Sequence, residues 1–488
     1  MTKKIGVLMV VAMLLALAVS PTMAQGPSDI VWSSAYQIQN LESTDATVHV
    51  AYYPQDGSSP YEGDVTVPGD GSKTIFPFTS GDYGDDVTGP GTFNGSAVLS
   101  SAKQIAAILN TQTGAGSSAF YGAATKGFSS GAKSLSLPLI ACNNGGFDTW
   151  FNIQNVSGST ANVEVEYVPG LYGQAGLTDT LTIESFRAKT LDQRADSTTG
   201  TKDCTDLADG SGRFVGSATI TSDQDVVATA MFLGTGGIKT VQGYNSFTAG
   251  SEAVNLPLVM ANNSTYYTSI QIQNAGTGDA DVVVDYSANT ISGGNDPASE
   301  TYTIQAGSSQ TIIHNGTAFS DVDWDAVGQY VGAATITQDG TTEPLVAVVN
   351  QNSTQYTSLG STYEGMSPDD ATDTVNLPLV AANNSGYLTG IQVQALNDST
   401  DVTVTYSENS VEAGEVPTAD TFSLDASESK TLIQNGPPGT FAGVNNWDTI
   451  GQYVGSAKVT ANGPILAIVN FNGPATGDTF YTYDGFNQ

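Results

Sequence analysis

Histidine and cysteine are scarce: a chain of 488 residues holds His49 and His314, and Cys142 and Cys204. Carboxylates are abundant, 48 Asp and Glu against 14 Lys and Arg. Such a set could support acid–base work between paired carboxylates, as in glycoside hydrolysis, divalent-cation binding, or a disulfide. No Gly-x-Ser-x-Gly elbow and no zinc-protease helix occurs. Gly234-Thr-Gly-Gly-Ile-Lys-Thr240 is too short for a phosphate loop and follows a strand pattern, so it reads as a hairpin turn. No catalytic residue is assigned, and the chain is expected to be non-enzymatic.

Asp321, Asp323 and Asp325 imitate the start of a calcium loop and form the candidate metal site, with calcium the candidate cofactor. The imitation is partial, because Ala326 stands where the sharp turn needs Gly and Gly332 where the bidentate Glu belongs. The bland alternative is a solvated loop anchored by Trp324, with a counterpart at Asn445-Asn-Trp-Asp448. Tyr266, Tyr267 and Tyr387 follow the pairs Asn262-Asn263 and Asn383-Asn384 and are the candidate ligand-binding aromatics for a glycan. The Asn pairs themselves suit turn geometry and side-chain to backbone bonding. His49 lies on the outward position of an alternating strand, and His314 in Ile312-Ile-His-Asn-Gly316 has Gln434 as its counterpart. Positions that vary so freely between repeats read as surface. The sequons at Asn94, Asn155, Asn263 and Asn352 are no more than an Asn/Ser/Thr-rich chain produces by chance.

These residues are carried by a fourfold repeat. The motif Ile-Gln-x-Gln or its variant recurs at Tyr36–Asn40, Phe151–Asn155, Ser269–Asn274 and Gly390–Gln394. An alternating strand ending in Tyr52, Tyr167, Tyr286 or Tyr406 follows each. Period-2 alternation of β-branched residues closing on an aromatic is a half-buried strand. Further on come Gly95-Ser-Ala, Gly216-Ser-Ala, Gly332-Ala-Ala and Gly455-Ser-Ala, then a continuously apolar run of the kind that sits centrally in a sandwich. Tyr121, Tyr244, Tyr363 and Tyr483 are taken as closing landmarks, with Phe247, Met366 or Phe486 three residues on in the last three. Spacings of 115, 119 and 121 residues between Gln markers, and 121, 116 and 123 between Gly markers, make the unit a whole domain. The fold class is therefore all-β: four tandem Ig-like antiparallel β-sandwich domains at 25–130, 131–249, 250–371 and 372–488. Short linkers are expected at 129–132, 248–251 and 367–373.

Residues 1–24 read as a signal peptide: Lys3 and Lys4, an apolar stretch, then Thr22-Met23-Ala24 before an expected mature start at Gln25. Removing them takes two basic and no acidic residues, so the net charge of −34 becomes about −36. That balance disfavours nucleic acid and anionic membranes as partners and favours divalent counterions. In an exported chain Cys142 and Cys204 are expected to pair. No transmembrane segment is expected in the mature chain. One asymmetry stands out. Leu137-Pro-Leu-Ile140, Leu256-Pro-Leu-Val259 and Leu377-Pro-Leu-Val380 open repeats 2, 3 and 4, but the equivalent in repeat 1 would fall near residue 22. Either Asp29–Trp32 or a loop covers that sheet edge, or a partner strand completes it.

The combination Leu-Pro-Leu-Val, Asn-Asn, Ile-Gln-x-Gln-Asn, Val-x-Val-x-Tyr and Val-Gly-Ser-Ala resembles tandem Ig-like repeats in bacterial cell-surface proteins of the envelope, sheath, fibre or adhesin type. The resemblance implies a secreted, structural or adhesive protein that partners itself, as a homo-oligomer, or other envelope components. It transfers no catalytic residues. The alternative is a tandem carbohydrate-binding array, with glycans as partners.

Overall fold

A computed structural model describes residues 32–487, apart from 70, 82–83, 114–120, 195–198, 408, 410–415 and 475–476. The expected signal segment and residues 29–31 lie outside the described residues. The described residues divide into two compact units, 32–249 and 250–487, with Gly307–Ser309 grouped with the first. Repeats 1 and 2 lie in the first unit, repeats 3 and 4 in the second. The fold is all-β, in antiparallel sheets.

Repeat 3 shows the plan. One sheet orders Val254–Ala261, Tyr330–Gln338, Ala280–Tyr286 and Glu300–Ile304; the other orders Ser309–Ile313, Tyr266–Asn274, Leu345–Ser353 and Gly360–Glu364. Alternation puts Val282 and Val284 inside, and Ile270 and Ile272 meet them from the opposite sheet. Repeats 2 and 4 follow the same pairing. In them the Gly-marker strand and the apolar strand run on as single strands, Phe214–Gly234 and Tyr453–Asn472, which join the two layers. The recurrent glycine has a steric cause. A Cβ on Gly95 or Gly216 would strike the carbonyl oxygen of Tyr53 or Val168, and one on Gly332 or Gly455 the hydroxyl of Tyr330 or Tyr453.

Strand register corrects one landmark. Val349 faces Tyr363, Val469 faces Tyr483 and Ala230 faces Tyr244 across the closing ladder, but the equivalent Leu109 faces Thr125. Tyr121 therefore precedes its strand rather than closing it, and Phe128 becomes the aromatic three residues on. Four matching backbone bonds fix this alignment: Gly127, Ser246, Gly365 and Gly485 each donate at 2.8 Å to the carbonyl of Ala107, Ala228, Ala347 and Ala467. The expected linker at 367–373 is partly ordered, holding a capped 3-10 turn at Pro368–Asp370 and the start of the strand Thr372–Ala382.

The tyrosine of the closing strand locks the opening strand. Tyr363 Oη donates to Leu258 O at 2.7 Å and accepts from Leu258 N at 3.2 Å. Tyr244 with Leu139 and Tyr483 with Leu379 repeat the pair. The register slips there, between Leu256 and Val259, so those backbone groups lose their ladder partners and would otherwise be buried unpaired.

Candidate functional site

The densest chemistry in each repeat lies where the Tyr-ending strand meets its neighbour. Tyr167 donates to Asp179 Oδ2 at 3.0 Å, Tyr286 to Glu300 Oε1 at 2.6 Å and Tyr406 to Asp420 Oδ2 at 2.8 Å. The three acids hold one register position, opposite Val165, Val284 and Val404. In repeat 1 that position is Gly63, and Asp85 from a later loop takes the bond from Tyr52 instead. All four carboxylates are buried, and burial pushes the tyrosines far above their ordinary range, so each stays a donor. Glu300 also accepts from Tyr302 Oη, Ser320 Oγ and the Asp321 amide. Asp420 accepts from the Val444 amide and Asn445. A carboxylate so sealed and surrounded pins a loop to the sandwich and presents no free face.

His314 belongs to this network, contrary to its expected surface position. It is fully buried, as are its counterparts Gln193 and Gln434. Thr268 Oγ1 lies 2.7 Å from its Nδ1 and Tyr286 Oη 3.2 Å from its Nε2. Gln434 makes the same two links, accepting from Thr389 at 2.7 Å and donating to Tyr406 at 3.4 Å. By that analogy the imidazole is neutral, with its proton on Nε2. Desolvation lowers its pKa to about 3. The side chain varies between repeats as a surface position would because Gln and His are both polar; what the position selects is one acceptor and one donor. His49 is exposed, 2.9 Å from Asp64.

A one-turn helix follows each pinned loop in repeats 2 to 4, at Cys204–Leu207, Trp324–Val327 and Trp447–Ile450. Asp323 caps it, accepting from the Asp325 and Ala326 amides, as Asn446 and Asp203 cap the others. Of the Asp321-Asp323-Asp325 series, Asp323 is thus spent on capping, and among the described residues no three His, Cys, Asp or Glu are grouped to hold a metal. Cys142 and Cys204 are bonded, Cα atoms 5.5 Å apart. Their places explain why repeat 2 alone has them: Trp324 and Trp447 start the same helix in repeats 3 and 4, and Ala261 and Ala382 end the same strand. A buried tryptophan stands at the helix start where repeat 2 has its disulfide. Asn143, Asn262 and Asn383 adopt positive φ, and the amides of the latter two hold the helix carbonyls of Trp324 and Trp447.

The candidate ligand tyrosines do not form an open platform. Tyr387 is buried and stacks on Phe471 at 5.1 Å. Tyr266 is half-buried and meets Phe480 edge-on at 5.5 Å, and Tyr267 is half-buried too. Asn155 is fully buried with its amide on the Ser159 and Ile183 carbonyls, so the folded chain hides that sequon.

Sequence reasoning missed the junctions inside each unit. Gln351 and Asn470 exchange amide bonds at 3.0 and 2.9 Å, and Thr482 and Ser361 close the cluster. In the first unit Trp32 packs on Trp150 with centroids 5.0 Å apart, and Arg187 donates to the carbonyls of Pro54, Gly57 and Ser58. No helix among the described residues is long and apolar enough to cross a membrane.

No family model and no curated protein matches the chain. The crystal structure of Thermotoga maritima 1070 is 18% identical over 24% of this chain and 94% of its own, with a TM-score of 0.19. The crystal structure of a tetra-tandem repeat in the extending region of a large adhesion protein is 12% identical over 97% of this chain and 100% of its own, with a TM-score of 0.10. At these scores neither likeness carries an argument.

Proposed function

We propose that this chain is a secreted, non-enzymatic structural or adhesive protein of the cell surface, four sandwich repeats long, that assembles with copies of itself. The observation that carries this reading is where the polar chemistry goes. The tyrosine–carboxylate centres, the disulfide, the Gln351–Asn470 amide cluster and the Arg187 contacts all serve to hold strands, loops and repeats in place. A scaffold invested in this way works through its outer faces. Its charge of −34 keeps single chains apart in low salt and makes divalent cations the natural counterions for close approach. The four-repeat reading accords with the pairing plan recurring at each Gln and Gly marker.

Antibody labelling of intact cells of the source organism, paired with sedimentation of the purified chain over a range of concentrations, tests the proposal. Surface label and concentration-dependent growth in mass are expected. Label confined to the cell interior, or a single small species at every concentration, would overturn it.

A further inference from the structure

In repeats 2 to 4 the opening strand lies in a slot with two walls. One wall is the Gly-marker strand: Leu137 pairs with Ala218, Leu256 with Ala334 and Leu377 with Ala457. The other is the segment after the closing strand, where Phe247, Met366 and Phe486 meet Ser136, Asn255 and Asn376. Leucines or valines at 135 and 137, 254 and 256, and 375 and 377 fill the slot, all at most 2% exposed.

Repeat 1 keeps both walls. Gly95–Ser101 is the Gly-marker strand, and Gly127 makes the same backbone bond to Ala107 that sets the path of the second wall before Phe128. Among the described residues Gly95–Ser101 pairs on one side alone, with Ala46–Pro54, in a sheet of three strands where repeat 3 has four. The core beneath is correspondingly uncovered. Ala97, Leu99, Ile105 and Leu109 are only partly buried, whereas Ala218, Ile220, Val226 and Ala230 in repeat 2 are all at 0%. The lock is missing as well: Thr125 stands where the other repeats place the tyrosine that grips the opening strand.

We infer that this slot receives an extended segment of another polypeptide, with aliphatic side chains on alternate residues and no acidic ones. The alternate aliphatics follow from the pairs that fill the slot elsewhere, and the exclusion of acids from the −34 charge of the chain. Supply from the same chain is opposed by its own turn chemistry. Repeats 2 to 4 turn from the opening strand through Asn143, Asn262 or Asn383 and two further residues at positive φ, Gly145-Gly146, Ser264-Thr265 and Ser385-Gly386. The equivalent residues are Ile30 and Val31, both β-branched, where the turns of the other repeats carry at most one such residue, Thr265. A second copy is a poor donor, since its Leu-Pro-Leu strands are built into its own repeats. The absent tyrosine fits an occupant that is straight and exchangeable rather than bulged and locked. This site goes beyond the surface role proposed above and does not require self-assembly.

The test uses the chain from Gln25 onward and a fluorescent peptide with the sequence of residues 132–141, read by anisotropy and by amide hydrogen exchange with peptide mapping. Saturable binding that slows exchange in residues 95–101 is expected. The same peptide with Leu135→Asp and Leu137→Asp should bind about tenfold more weakly or worse, the loss from failing to bury a leucine. No saturable binding, or protection confined to other repeats, would overturn the inference. So would amides at 97–101 that exchange slowly without peptide and quicken when residues 25–31 are removed, for then the chain fills its own slot.

Discussion

His314 offers the sharpest test of how these centres are built. Its pKa falls to about 3 inside repeat 3, against an ordinary 6.5, because burial disfavours the charged ring. Below pH 6.5 the unfolded chain binds a proton that the folded chain refuses, so stability is full above 6.5 and declines as pH falls toward 3. At pH 5 the loss is about 2 kcal/mol, from RT times the logarithm of the unfolded state's protonation excess. Gln434 makes the same hydrogen bonds without titrating, so His314→Gln should fold and lose this component. Urea unfolding followed by Trp fluorescence, at pH 7 and pH 5, in both proteins, measures the difference. Trp324 lies 4.6 Å from the imidazole and reports on the right repeat. Proton NMR of the two histidines supplies the direct reading, with His49→Gln assigning the signals. A His314 resonance that titrates near pH 6, or a variant that loses as much stability on acidification as the parent, would refute the reasoning.

Four further outcomes follow from the same geometry. Tyr363→Phe leaves both backbone groups of Leu258 unpaired and should cost repeat 3 about 1–3 kcal/mol by urea denaturation, with no change in chain mass. Glu300→Gln presents an amide N–H to a ring of donors and should cost about 3 kcal/mol, with faster hydrogen exchange at residues 319–323. Reducing Cys142–Cys204, which are 62 residues apart, should lower the stability of repeat 2 by at most about 4 kcal/mol and leave repeats 3 and 4 unchanged in a resolved thermal scan. Gly216→Ala drives a methyl into the Val168 carbonyl and should cost about 2 kcal/mol, seen as a lower Tm for the first unit.

The strands were legible because alternation and β-branching survive in every copy, and four copies average out local noise. The disulfide was legible from two cysteines alone. His314 was not, because a buried donor–acceptor position tolerates Gln and His alike and so mimics a free surface. The carboxylate partner of the strand-ending tyrosine was hidden by relocation: repeat 1 replaces it with Gly63 and supplies Asp85 from elsewhere in the chain. Tyr121 misled since it lies four residues ahead of the true register position, which a threonine fills. Asp323 caps a helix within a series that also reads as the start of a cation loop, because helix capping and calcium binding call on the same residue type. The interlocked amides between repeats had no periodic signal to betray them.

The proposed role is a surface scaffold of four sandwich repeats that builds larger assemblies. Electron microscopy of the purified mature chain, with and without calcium, tests it most directly. Ordered fibres, sheets or sheaths are expected in at least one condition, with a repeat set by the length of the chain. Single dispersed particles in both conditions, at every concentration tried, would contradict it.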